Sequence, residues 1–239
     1  MRTVTVDIPK LSVSPEENLS LWALVAILLL SVIYTRAHEY SHIISVVLQG
    51  CAFTSGFGWV SPYGDNRVVS TLAGPLLTYI VMWIGLALLL KSRNGKRAGF
   101  ELIFASLPLF RMAGHMFSTF PGRDELRISR ALHIADPYAA AIVWAIVLPP
   151  LVFAYVSIDS RVRAAWFLFY FVVLPFMSAI VVSVLGDSLI MSLVKSHRLA
   201  GTPVASSFHG IPVVVLLCDA AVVTSFLLVG RLNRQSTEP

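Results

Sequence analysis

The chain has 239 residues, of which 56% are hydrophobic and only 13% are charged, whereas soluble domains carry about 25% charged residues. With a mean hydropathy of +0.78, this composition excludes a soluble globular protein and indicates an integral membrane protein. The net charge of +5 does not indicate a nucleic-acid partner, because the basic residues flank apolar segments, as membrane topology predicts.

The N-terminal residues 1–20 form a polar segment that includes Asp7, Glu16 and Glu17, and the first apolar run starts at Leu21. This order is not typical of a cleaved signal peptide, whose apolar region follows a short basic start. The run also continues directly into the most informative residues of the chain. We therefore expect it to be a retained first membrane span.

Six apolar segments have about the length that a helix needs to cross the hydrocarbon core. Helices are expected because every backbone polar group in lipid must be satisfied internally. The fifth segment contains Pro175 and Gly186, which predict a kink or a split. The sequence thus predicts an all-α, multi-pass protein of the cell membrane, a single domain over residues 1–239 surrounded by the lipid bilayer. The predicted spans are residues 21–48, 68–90, 100–120, 138–158, 166–194 and 211–229.

The segment after the first span, residues 51–66, differs from the rest in its density of glycine and aromatic residues. Gly56 and Gly58 alternate with Phe57 and Trp59. This pattern predicts a short β-hairpin or a re-entrant loop at the membrane interface. An irregular connection fits the same composition.

The first span contains the sequence Thr-Arg-Ala-His-Glu-Tyr-Ser-His at residues 35–42. His38 and His42 are four apart, so one helix face presents both imidazoles to a single metal ion. Glu39 lies between them, where a general base acting on a metal-activated water is needed. Arg36 adds a fourth ionisable group, and each such group costs about 2.5–3.5 kcal/mol at membrane depth. The cluster therefore indicates a function, the alternative being a polar cluster that pairs with itself, for example Arg36 with Glu39.

Two histidines do not complete a catalytic zinc site, because such sites use three protein ligands and a water molecule. Another His, Asp or Glu must come from elsewhere in the chain. The candidates are first His115, Asp124 and Glu125, and then His133, Glu101, Asp187 and Asp219.

These residues suggest a family. A His-Glu-x-x-His motif in a membrane helix, then Ala73-Gly74-Pro75 at the start of the next span, then Pro108 followed by an acidic residue resembles the site-2 protease family of intramembrane zinc metalloproteases. In that family an Asn-x-x-Pro motif followed by Leu-Asp-Gly supplies an aspartate as the third ligand. Residues 106–129 look like a diverged version of it. The resemblance covers residues 30–130, which would form the metalloprotease core.

Carried over to this chain, the resemblance implies that His38 and His42 are zinc ligands and that Glu39 is the catalytic base. Asp124 matches the ligand aspartate, and His115 is an alternative ligand or a stabiliser of the substrate oxyanion. The chain departs from the family pattern where Glu125 replaces the glycine after the aspartate, and where Thr78 stands in place of an asparagine that often follows Ala-Gly-Pro. The implied activity is that of a zinc metalloendopeptidase with one zinc ion per chain and a membrane-protein substrate.

Two other functions fit parts of the sequence. A polytopic transporter or ion-binding protein would bind an ion with the same residues and perform no hydrolysis, since ionisable residues in membranes often mark ion pathways. A catalytically inactive relative would keep only a scaffold role. The polar groups concentrate at one end of the first span and in residues 115–125 instead of following several spans. This distribution favours the enzyme.

Overall fold

The computed structural model describes residues 21–64, 66–91, 96–113, 124–158, 163–192 and 206–235. Helices dominate this part of the chain, and the strands form two short hairpins. The elements are, in order, α1 (Leu21–Leu48), β1 (Ala52–Ser55), β2 (Val60–Tyr63), α2 (Arg67–Lys91), α3 (Lys96–Ala105), α4 (Pro108–Ala113), α5 (Asp124–Ala131), α6 (Asp136–Ser157), α7 (Arg163–Leu168), α8 (Leu174–Ala179), β3 (Ser207–Phe208), β4 (Ile211–Pro212) and α9 (Val213–Gln235).

Four helices of the described part are long and apolar enough to cross a membrane: α2, α6, the helix Ala164–Ile190, and α9 over Val213–Arg231. The helix α1 has 28 residues and begins and ends where the sequence predicts the first span. The all-α, membrane-type fold is therefore confirmed. The predicted second, fourth and sixth spans also agree with α2, α6 and α9 to within a few residues.

The prediction of one continuous third span over residues 100–120 was wrong. The helix α3 ends at Ala105, Leu107 has a φ of 52°, and α4 begins at Pro108. A proline disfavours the helical conformation of the residue before it but is well suited to the first position of a new helix. The chain therefore breaks at Leu107, and the remainder of the predicted span, 114–120, lies outside the described residues.

The fifth predicted span is continuous, not split. We call Ala164–Ile190 the mixed helix, because π-helical segments at Phe169–Val173 and Ile180–Ile190 flank α8. Pro175 lies in the first turn of α8 and Gly186 in the second π-helical segment. A Cβ at Gly186 would lie 2.7 Å from Cγ of Phe57. This glycine thus makes room for an aromatic ring of the loop between β1 and β2.

The segment after the first span, for which the sequence left a β-hairpin, a re-entrant loop and an irregular connection open, contains a β-hairpin. The strands β1 and β2 pair antiparallel, with Ala52 opposite Tyr63 and Ser55 opposite Val60. The second hairpin, β3–β4, was not predicted and lies against β1, where the Ser55 N–H donates to the carbonyl oxygen of Gly210 at 3.3 Å. One edge of the first hairpin is thereby covered. The outer edge of β2 pairs with no strand among the described residues.

The main core lies between α2, α3, α6 and the mixed helix. At the crossing of α2 and α3, a Cβ at Gly99 would lie 2.5 Å from the carbonyl oxygen of Gly85, so small residues allow the two backbones to meet. The helix α1 packs on α2 and α9, and α5 packs on α2 and α6. The side of α2 that faces α1 and α5 is where the predicted site residues meet. The fully or nearly fully buried core side chains include Met82, Leu89, Ile103, Phe104, Val147 and Leu174.

Candidate metal centre

Three residues that the sequence predicts as metal ligands come together in the structure. His38 and His42 project from α1, and Asp124 is the first residue of α5. The two Nε2 atoms lie 3.2 Å apart, and Oδ2 of Asp124 lies 3.1 Å from Nε2 of His38 and 3.5 Å from that of His42. The histidines are only 5% and 8% exposed. The fold thus gathers two nitrogens and one oxygen, from residues 86 positions apart for His38 and Asp124, at one buried point.

The other nitrogen of each imidazole faces an oxygen of α2. His42 Nδ1 lies 2.6 Å from the carbonyl oxygen of Ser70. His38 Nδ1 lies 2.9 Å from Oγ1 of Thr78, whose own hydroxyl donates to the carbonyl oxygen of Gly74 at 3.1 Å. A carbonyl oxygen only accepts, and the proton of the Thr78 hydroxyl is already used. Both Nδ1 atoms therefore donate, and both Nε2 atoms present lone pairs.

This arrangement fits a metal ion. Two imidazole lone pairs and one carboxylate oxygen face one another, and none of these three acceptors supplies a proton to the others. A cation between them satisfies all three at once. Two His nitrogens with one carboxylate oxygen form a donor set that suits catalytic zinc, and hydrogen bonds from the outer ring nitrogens are the usual support for such ligands.

The motif Ala73-Gly74-Pro75 places backbone directly beside the imidazoles. A Cβ at Gly74 would lie 2.6 Å from both Cε1 and Nε2 of His38 and would also overlap His42. Only glycine lets α2 pass this close to α1 at that level. The glycine of the motif is thus needed for the geometry of the ligands.

We expect Gly74→Ala to lower the affinity for zinc by at least the ~10–100-fold that follows loss of outer-sphere support. The added methyl group would push one or both imidazoles out of position. The measurement is zinc retained per chain during titration with a chelator. Gly230→Ala is the matched control, since a Cβ at that position of α9 meets nothing within 4 Å. Equal zinc retention in the two variants would contradict this reading of the motif.

Glu39 and the three candidate ligands line one large cavity of about 1140 Å³. The hairpin forms part of the cavity wall, through Gly58 and the residues from Trp59 to Pro62. Apolar side chains such as Val46 and Phe110 line the remainder together with several serines. The site therefore combines an acidic side chain, a candidate metal centre and room for a polypeptide segment.

Glu125, a candidate ligand in the sequence, does not join the metal centre. It is buried, and its Oε1 accepts from the Tyr79 hydroxyl at 2.8 Å and from Nη1 of Arg111 at 3.1 Å. Within the described part of the chain, Oε2 of Glu125 and Nε of Arg111 have no further partner. This ion pair fixes the start of α5, so that the neighbouring Asp124 faces the imidazoles.

Arg36 pairs with Asp219 of α9. A polar cluster that pairs only with itself would instead have joined Arg36 to Glu39. Nε and Nη2 of Arg36 donate to the two carboxylate oxygens of Asp219 at 2.8 and 3.2 Å, and the Tyr40 hydroxyl donates to the same carboxylate at 2.7 Å. Nη1 of Arg36 also donates to the carbonyl oxygens of Gly56, at 3.1 Å, and of Phe57. Arg36, which lies two residues before His38 on α1, thus holds the loop of the first hairpin.

Asp187 of the mixed helix holds the same loop from its other side. Its two oxygens accept from the backbone N–H groups of Phe57 and Gly58 at 2.8 and 3.0 Å. We call Arg36, Asp187 and Asp219 the turn clamp. Asp187 and Asp219 were candidate ligands, and the structure assigns them to this clamp instead.

Among the described residues, the candidates Glu101 and His133 contribute no ligand atom to this cluster. Glu101 pairs with Arg97 at 2.9 Å, and His133 is exposed after the end of α5 with a φ of 55°. His115, the alternative ligand or oxyanion stabiliser, lies outside the described residues. Sequence reasoning missed Arg111 and Tyr79, although an arginine inside a predicted span was a signal that a buried partner exists.

No protein-family model matches the chain, and comparisons with curated proteins and with solved structures also give no match. The geometry of the centre and the chemistry of its residues are therefore the basis for assigning a function.

Proposed function

We propose that the protein is an intramembrane zinc metalloendopeptidase of the site-2 protease type, which hydrolyses peptide bonds of membrane-spanning substrates. His38, His42 and Asp124 would hold one zinc ion per chain. The observation that carries the proposal is the meeting of three acceptor atoms from α1 and α5 at a buried point of a cavity that Glu39 also lines. The four apolar helices support its location in a membrane.

A zinc ion held by these residues would supply a water whose pKa is lowered to about 7 and a Lewis acid for the scissile carbonyl. Glu39 takes the proton from the attacking water and returns it to the leaving amine. Thr78 and the Ser70 carbonyl keep the two imidazoles in the tautomer that leaves Nε2 free. Burial of the centre among α1, α2 and α5 limits the access of bulk water.

The hairpin offers a means of holding the substrate. In a helix the backbone carbonyl oxygens accept hydrogen bonds from N–H groups of the same helix. A membrane-spanning segment must therefore become extended before it can be cleaved. The strand β2 lines the cavity through Val60, Ser61 and Pro62, and its outer edge has no strand partner in the described structure, while β1 is already covered by Gly210. An extended segment pairing with β2 would add a strand to the sheet and pass beside Glu39.

The test is the zinc content of purified protein, for wild type and for His38→Ala, Asp124→Ala and His115→Ala. We expect about one zinc ion per chain in wild type, a loss in the first two variants, and retention in the third. The companion assay is cleavage of a membrane-spanning substrate, inhibited by a chelator and restored by zinc.

Three outcomes would contradict the proposal. Absence of zinc after reloading would show that His38, His42 and Asp124 do not form a zinc site. Loss of zinc in His115→Ala with retention in Asp124→Ala would make His115 the third ligand. Zinc binding with uptake into vesicles, and no cleavage by the zinc-loaded protein, would identify an ion-binding or transport protein.

A further inference from the structure

Basic side chains surround the cavity of the metal centre. Arg67 begins α2, and Arg127 and Arg130 lie on α5; all three are exposed and line this cavity, and we call them the arginine rim. Neither Arg67 nor Arg130 forms an ion pair with a described residue. Arg127, whose side chain is 71% exposed, lies 3.7 Å from Oδ1 of Asp124. The rim therefore carries positive charge that the described protein leaves largely uncompensated.

The interior of the cavity does not cancel this charge. Its acidic lining residues, within the described part, are Glu39 and Asp124, which serve as base and ligand in the proposed function. Arg111 also lines the cavity; Glu125 neutralises it, and its buried Nε has no partner among the described residues. A bound zinc ion would add two further positive charges. In a cleft with low-dielectric walls, the electric field of charges of one sign is concentrated, so it acts strongly on a segment that enters the cleft.

Arginines near membrane spans often contact lipid headgroups, but the rim residues line the cavity beside the proposed catalytic residues. A polypeptide that enters this cavity passes them. Many membrane proteins carry Lys and Arg at the cytoplasmic ends of their spans. A cationic entrance would repel such ends and attract acidic ones, so it discriminates by repulsion as well as by attraction.

We propose that the arginine rim binds acidic residues flanking the cleaved segment, so that the substrates are membrane proteins with Asp or Glu beside the span. This inference rests on the proposed function, which makes the polypeptide in the cavity a substrate. The apolar part of the cavity, with Val46 and Phe110, takes the span itself. The rim takes the acidic residues that flank the span.

Binding and cleavage of matched substrates test the inference. The three substrates share one apolar span and differ only in two flanking residues, which are Glu, Gln or Lys. We expect kcat/KM to be about tenfold higher for the Glu substrate than for the Lys substrate, since each exposed ion pair is worth up to ~1 kcal/mol. The ratio should shrink as salt is raised, because screening acts on exposed charges.

Reversing the charge of the rim is the more decisive part of the test. The double variant Arg67→Glu/Arg130→Glu should bind zinc as wild type does and should now favour the Lys substrate. The control is Lys91→Glu, which reverses an exposed charge at the opposite end of α2 and away from the cavity, and should keep the preference for Glu.

Affinity is also measured for the Glu39→Gln variant, which binds substrate without turnover, so the result does not depend on catalysis. Equal affinity for the three substrates would overturn the inference and leave the proposed function in place. Cleavage that depends on anionic lipid in the vesicles, and not on the flanking residues, would assign the rim to headgroups and also overturn it. If the Glu substrate binds best but zinc-loaded wild type cleaves none, the inference about the surface stands and the proposed function fails.

Discussion

Replacing Glu39 by Gln should abolish detectable peptide hydrolysis while the protein keeps its zinc. The amide has the size of the carboxylate but cannot accept the proton of the attacking water. Loss of a general base lowers rates by about 10²–10⁴-fold. The proposed ligands His38, His42 and Asp124 are unchanged, so the zinc content should stay at the wild-type level while the cleavage rate falls. The measurement pairs zinc per chain with cleavage of a membrane-spanning substrate by the same preparation.

Glu101→Gln is the matched control for this change. Glu101 is a partly exposed carboxylate that pairs with Arg97, and it does not line the cavity. Its replacement should leave zinc content and cleavage rate as in wild type. Wild-type activity in Glu39→Gln would remove the assignment of the base, and loss of zinc in that variant would instead make Glu39 part of the metal centre.

Glu125→Ala should destabilise the protein by about 3–5 kcal/mol, because it leaves the Arg111 charge buried and unpaired. The side chains of this pair are only 11% and 6% exposed, and the Tyr79 hydroxyl would lose its acceptor as well. Unfolding by heat or denaturant in a mild detergent measures the effect. Zinc affinity should fall too, since the start of α5 would no longer be fixed beside the imidazoles.

The chain offers a close comparison in the pair formed by Arg97 and Glu101. That pair has the same chemistry and a similar length, at 2.9 Å, but its side chains are 47% and 25% exposed. Exposed pairs contribute about 0–1 kcal/mol, so Glu101→Ala should change stability little. Similar destabilisation by the two substitutions would show that burial does not set the contribution of the Arg111–Glu125 pair.

Local signals in the sequence were enough for much of the fold. The bounds of α1 follow from an apolar run that starts at Leu21, and the first hairpin follows from Gly56, Gly58 and their aromatic neighbours. The break at Leu107 was also within reach, because Pro108 constrains the residue before it. It was missed because hydropathy continues unchanged through this proline.

The candidate metal centre was predictable only in part, for a physical reason. His38 and His42 are related by helical periodicity, which a sequence displays directly. The choice of Asp124 over Glu125 depends on which of two adjacent carboxylates finds Arg111 and Tyr79, and no periodicity encodes that. The pairing of Arg36 with Asp219 joins residues 183 positions apart, which only the packing of α1 on α9 reveals.

The turn clamp has a consequence for any strand that pairs with β2. Two carbonyls and two N–H groups of the loop at residues 56–58 are held by charged side chains from α1 and the mixed helix, and Asp219 of α9 secures Arg36. The hairpin is therefore rigid before a substrate arrives. An incoming strand meets an edge that is already ordered, and the free energy of association is not reduced by the entropy lost on ordering a loop.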